Sequence, residues 1–420
     1  MNMKSFFLLS AALTSVAASA VQVSNVSARQ RWPWNNLVDV QFTVSDAPAG
    51  EAYVAELSAQ YRNGEVKLAA KTLLSEPVVG VGTHTIVWDF GKDCPDFKAD
   101  DMQMIVSVYP FSDATPVYLV VDVSGGESAA KYPVRYTTAA PVHTVGANDP
   151  CKTTEIWLKR VKGGTIAMGG GNSSYSYPAY TCTLNDDYYL GVFALTQAQF
   201  ENVAKSVKED HSYFTNVASR ATRPADRLTY AVLRDSHYGY PNDKEIPAGT
   251  DTFISRMRAK TGLAFDLPTE WQWEYASRAG LTTARYPGAV YRSSENSLPS
   301  GGSIAAADRD WGAEYGTSYV DQYAPNGWGF YGMLGSVWEW CVNIPPSIKA
   351  GDVLTDPEGP TTATNVRNRT CRGGAWTTAA SYCCHYGYRS MDSWNVTGDP
   401  KFAMFGGRLC LTLKKPDAAE

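Results

Sequence analysis

The sequence predicts two folded domains behind an export signal: an all-β sandwich, then a larger aromatic-rich domain with little regular secondary structure. Period-two apolar patterning up to about residue 125, a Gly/Ser/Ala/Pro-rich connection after it, and a Trp- and Gly-rich remainder point to this arrangement. The 420 residues are 44% hydrophobic, 12% aromatic and only 19% charged, a composition that excludes extensive disorder. Formal charge is −5. No basic excess exists to neutralise phosphates, so a nucleic-acid partner is not expected. No apolar run after residue 20 is long enough to span a bilayer.

The first 20 residues read as a signal peptide. Lys4 precedes an apolar stretch from Phe6 to Leu13, and Ala18-Ser19-Ala20 supplies small residues for cleavage. The expected location is secreted or periplasmic. The eight cysteines that remain allow up to four disulfides in an oxidising compartment. With no CxxC pair and five histidines, a zinc site of the usual spacing is not expected.

Residues 21–125 alternate apolar and polar side chains at Leu37–Val44, Tyr53–Leu57, Thr85–Phe90, Met104–Val108 and Val117–Val123. Short strands at such spacing, without a helical stretch, predict an immunoglobulin-like sandwich acting as a spacer or docking module. Residues 126–151 read as a linker, and the second domain runs from 152 to 415.

Four segments give the second domain its character. Val161–Gly169 is a strand–turn–strand ending in Met168-Gly169. In Tyr188–Phe200 a strand runs into a helix, with Thr196 as its N-cap. Leu267–Gly280 holds Pro268 and Glu270 at a helix start. Pro325–Trp340 ends in Val337-Trp338-Glu339-Trp340 and is followed by Arg372-Gly373-Gly374-Ala375-Trp376, with Tyr388-Arg389 and Gly407-Arg408-Leu409 near the end.

In this order and spacing the segments resemble the formylglycine-generating enzymes, or sulfatase-modifying factors. The resemblance implies a C-type-lectin-related α+β domain. It also implies calcium, held by the backbone oxygens of Gly335 and Val337 and the carboxylate of Glu339. Gly332 stands where the family has an Asn ligand, which would weaken the site. Asp308 and Asp310 are candidates for a second calcium. The alternative for Glu339 is an ion pair with Arg372 or Arg389.

Family chemistry oxidises a sulfatase cysteine to formylglycine, using O₂ and copper(I) held by two thiolates. Cys383 matches the second thiol and Tyr382 the aromatic before it, so these two are the candidate catalytic residues. Thr378 replaces the first thiol and Ala375 a Ser. A hydroxyl is a poor ligand for soft copper(I), so copper is not expected. Cys384 follows directly and would project to the opposite face of an extended strand.

The expected function is therefore an exported sulfatase-modifying-factor-like binding scaffold for an unidentified protein or peptide, an exported sulfatase being one candidate. Trp376, Tyr382, His385, Tyr386, Tyr388 and Trp394 would suit a recognition surface. The alternatives are an active formylglycine-generating oxidase and a variable ligand-display protein of a diversity-generating retroelement. From the fold the resemblance implies, the first disulfide candidate is Cys371–Cys410. Cys341 with Cys182 or Cys383, and Cys94 with Cys151, follow.

Overall fold

The computed structural model describes residues 21–414 except 32–35, 49, 63, 65, 98–101, 113–116, 171–175, 218, 236–239, 242–243, 284–316, 362–367, 377–388 and 394–403, and of 389–393 only the backbone. The chain is mostly β, with few helices. Among the described residues no helix is long and apolar enough to cross a membrane.

Two compact units emerge. The first takes residues up to 120 together with 134–140, and the second 121–133 with 141–420. In the first, β1 (Gln22–Gln30), β2 (Leu37–Ser45) and β6 (Gly82–Asp89) form one sheet in the order β1-β2-β6. A second sheet is built on β3 (Tyr53–Tyr61), which pairs with β4 (Val66–Ala69), β5 (Val78–Val79) and β7 (Gln103–Pro110). Alternation sends Val40, Phe42 and Val44 of β2 inward to meet Ala55 and Leu57 of β3, Ile86 and Trp88 of β6, and Val106 of β7. The buried Trp88 indole donates to Asp93 at 2.8 Å, and the same carboxylate accepts the Thr72 N–H and hydroxyl. That shared acceptor ties the end of β6 to the segment before it.

Strands β8 (Tyr118–Asp122) and β9 (Val134–Thr137) lead into the second unit. There β10 (Glu155–Val161), β13 (Asp187–Gly191) and β19 (Cys410–Leu413) pair antiparallel in that order. A second sheet joins β11 (Gly164–Met168), β12 (Tyr180–Leu184) and β15 (Val353–Thr355). A third has the order β17 (Arg389–Ser393), β16 (Asn368–Arg372), β14 (Trp338–Trp340), β18 (Phe405–Gly406).

The longer helices start where the sequence places a reciprocal cap. Thr196 and Gln199 bond each other's backbone N–H at the start of the helix Gln197–Ala204. Thr269 and Gln272 do the same for Glu270–Arg278. Pro268 thus lies before the cap, one position outside the expected start. All nine residues of Glu270–Arg278 are buried, so it is a core helix with no solvent face.

Of residues 126–151, 126–133 and 141–151 belong to the second unit and 134–140 to the first. Tyr132 is buried, Glu127 accepts the Ser206 N–H at 2.9 Å, and Gly146 N–H donates to Asp321 at 3.1 Å. One expectation needs correction: among the described residues no disulfide joins Cys94, Cys151, Cys182, Cys341, Cys371 or Cys410. Cys371 lies on β16 and Cys410 on β19, in different sheets rather than on neighbouring strands. Cys182 and Cys341 pack as small apolar residues in one core cluster.

Candidate functional site

The motif residues converge on a buried network of three carboxylates and three guanidiniums. Glu270 opens its helix and takes Arg372 Nη2 at 2.7 Å, while Asn343 Nδ2 donates to its other oxygen at 2.9 Å. One turn on, Glu274 accepts Arg278 Nη2 at 2.7 Å and the Gly169 N–H at 2.8 Å, and Arg372 Nη1 lies 3.1 Å from its second oxygen. Burial alone would raise the Glu274 carboxyl, but the Arg278 and Arg372 charges outweigh it and hold the group below the ordinary carboxylate range. Between Glu270 and Glu274 on the same helix, Trp273 Nε1 donates to Glu339 at 2.6 Å.

Glu339 is paired with an arginine, as one of the two expectations held, but the partner is Arg408. Arg408 Nη2 donates to Oε1 at 2.8 Å and Nε to Oε2 at 2.9 Å. The rest of the guanidinium is used by the carbonyls of Gly191, Val192 and Tyr331. Arg372, the sequence candidate, faces Glu339 in the backbone register of β14 and β16 but sends its side chain to Glu270 and Glu274.

This geometry does not fit a calcium ion on the expected ligands. The one charged ligand has both oxygens against N–H donors, one of them a guanidinium standing where a cation would stand. The Gly335 carbonyl accepts the Val337 N–H at 2.9 Å.

The Arg-Gly-Gly segment docks on that loop. Gly335 N–H donates to the Gly373 carbonyl at 2.8 Å and Trp376 N–H to the Ser336 carbonyl at 2.9 Å. Gly373 has φ +93°, and a Cβ there would sit 2.8 Å from the Met333 carbonyl oxygen and 3.1 Å from Trp273. Only glycine fits. Ala375 is fully buried, and the Trp376 ring meets Phe214 edge-on at 5.5 Å. Phe214 in turn meets the half-exposed Tyr213. This aromatic run marks the point from which residues 377–388 continue. Tyr382 and Cys383, with Thr378, Cys384 and His385, lie outside the described residues, as do Asp308 and Asp310.

Two groups escaped the sequence reading. Asp226, buried beneath Tyr213, accepts its N–H at 2.8 Å, and burial raises its carboxyl to about 7. Asp321 takes both His143 Nδ1 at 2.9 Å and Lys152 Nζ at 2.6 Å, and His143 Nε2 lies 3.1 Å from the Tyr331 hydroxyl. Their members lie far apart in sequence, so no local spacing announced them. Among the described residues no His/Cys/Asp/Glu group has a metal-holding arrangement. The thiols there are poor nucleophiles too: burial raises Cys151 and Cys182 to about 12 and Cys341 and Cys410 upward as well.

A mostly β domain whose motif glutamates pair with buried arginines is the class of protein that this fold and site define. The model of the sulfatase-modifying factor enzyme 1-like domain matches residues 147–399, and the chain belongs to that family. The formylglycine-generating enzyme of Streptomyces coelicolor is 35% identical over 268 residues, covering 54% of this chain and 81% of its own length. That of Thermomonospora curvata is 36% identical over 133 residues, 29% of this chain and 41% of that protein. Among solved structures, Treponema denticola variable protein 1 aligns over 65% of this chain and 99% of its own, at 22% identity and a TM-score of 0.44.

Proposed function

We propose that this protein is exported and uses its sulfatase-modifying-factor domain as a recognition scaffold that has lost copper oxidation. The carrying observation is Thr378. Where the family pattern asks for two thiols, the chain offers Cys383 and a hydroxyl, and that donor set does not suit copper(I). The buried network supports the same reading, because Glu270, Glu274 and Glu339 are all neutralised from within and none is offered to a substrate. The aromatic run Trp376–Phe214–Tyr213 supports it as well, since it ends at the surface in the exposed Tyr213 ring, a group with little conformational entropy to lose. The partner in this reading is a protein or peptide, an exported sulfatase included. The N-terminal β unit is read as an immunoglobulin-like spacer or docking module.

The test is aldehyde formation on a peptide carrying the Cys-x-Pro-x-Arg motif, with copper and a reductant. The protein should make none. Thr378→Cys combined with Ala375→Ser rebuilds the donor set, and copper retained by that variant but not by the wild type would trace the loss to the missing thiol. Aldehyde produced by the unmodified protein and abolished by Cys383→Ala would overturn the scaffold reading.

A further inference from the structure

Along the outer edge of β19 runs a groove of about 500 Å³. Leu184, Leu267 and Val342 give it an apolar floor. Its charged lining is unbalanced by two: Asp186, Glu245, Asp266, Asp356 and Glu358 stand against Lys244, Arg258 and Lys414. Lys244 is taken by Glu358, Lys414 lies 3.3 Å from Asp186, and Arg258 pairs with Asp266 at 3.0 Å and lies 3.9 Å from Glu245, whose side chain is 90% exposed.

The phase of the β13–β19 ladder decides what this edge offers. Gly191 N–H bonds the Leu409 carbonyl at 2.8 Å, so the bonded pairs continue through Tyr189/Leu411 and Asp187/Leu413. Cys410 and Thr412 therefore turn their N–H and C=O outward. Cys410 uses both on Asp266, each at 2.8 Å. The companion segment then leaves: Phe265 N–H closes onto the Leu263 carbonyl and the Phe265 carbonyl is taken by Arg258 Nε at 2.6 Å. The outward N–H and C=O of Thr412 face the groove with no partner among the described residues.

We propose that this groove binds an extended peptide bearing basic side chains, which adds to β19 as a further strand. The unpaired Thr412 backbone continues the ladder that Asp266 begins, as in strand addition elsewhere. The apolar floor takes the side chains that alternate inward. The surplus of carboxylates at the rim selects a cationic occupant and disfavours an acidic one. This site uses none of residues 377–388, and the proposal holds whether or not oxidation survives.

The test uses the full chain and two fluorescent nine-residue probes, alternating valine and threonine, one with lysines at both ends and one with glutamates. Anisotropy should show binding of the lysine probe and at least tenfold weaker binding of the glutamate probe. Thr412→Pro removes the outward N–H but leaves the β13 bonds intact, as edge prolines do; because it also loses the hydroxyl that accepts Gln272 Nε2 at 2.8 Å, Thr412→Val is its control, and the proline variant should bind the lysine probe about tenfold more weakly than the valine variant. Glu245→Lys with Glu358→Lys should reverse the charge preference. Hydrogen exchange on the wild type provides a check independent of variant folding: the Thr412 amide should become protected when the lysine probe is added. No binding of either probe at millimolar concentration, equal binding of both, or an unprotected Thr412 amide overturns the proposal.

Discussion

Arg408 and Glu339 meet through two parallel contacts of 2.8 and 2.9 Å, with both side chains buried. The pair joins the chain before β19 to the Trp-Glu-Trp strand, and Trp273 adds the central helix to the same carboxylate. A buried ion pair of this kind gains little over well-packed apolar groups, but breaking one partner is costly. The glutamate is thus read as a fastener rather than a ligand.

Glu339→Ala should accordingly destabilise the second unit by about 3–5 kcal/mol, because Arg408 would be left buried and uncompensated. The loss should be the same in calcium and in chelator. A thermal shift measured in both buffers checks it: a loss confined to calcium would return Glu339 to ligand duty.

Gly373→Ala should cost roughly 1–3 kcal/mol, since its φ of +93° and the neighbouring Met333 carbonyl leave no place for a methyl group. Gly351→Ala is the control. Its φ of +82° is similar but nothing lies within 4 Å of the added carbon, so it should cost less. Urea midpoints of the two variants separate close contact from backbone strain.

Asp226 predicts a pH dependence. Its carboxyl titrates near the usual 3.8 when unfolded and near about 7 when folded, chiefly because burial penalises the charge. The native state holds the proton more tightly, so this group's contribution is full below about pH 4 and is lost as pH rises to about 7. Asp226→Asn keeps an acceptor for the Tyr213 N–H and removes the titration. The wild type should lose on the order of 2–4 kcal/mol relative to that variant between pH 4.5 and 8. Parallel slopes for the two proteins would contradict the shift.

Cys371 and Cys410 should be alkylated without prior reduction once the protein is denatured, and peptide mapping reads this directly. In the native state Cys410 should react slowly, because burial raises its thiol and hides it. A disulfide-linked peptide pair containing either residue would be the contrary result.

Much of this architecture was legible from local rules. Period-two alternation at Leu37–Val44 and Tyr53–Leu57 placed strands that the structure extends to Ser45 and Tyr61. Thr196 announced its helix through hydrogen bonds made within four residues. The first strand, Gln22–Gln30, escaped because only Val26 along it is buried, leaving no apolar alternation to read. Segment 126–151 reads as a connection because Gly and Ser report turns, and a turn can be packed or open.

The sequence alone fixes which residue types the motifs bring to the site: glutamates and arginines among tryptophans. Only the tertiary structure decided the pairing. Glu339 and Arg372 face each other in the backbone register, yet the side chain of Glu339 goes to Arg408 and that of Arg372 to Glu270 and Glu274. Burial demands that each charge find an opposite one, a requirement readable from composition. Which opposite charge lies within 3 Å depends on how a helix and two sheets pack, and no spacing along the chain encodes that distance.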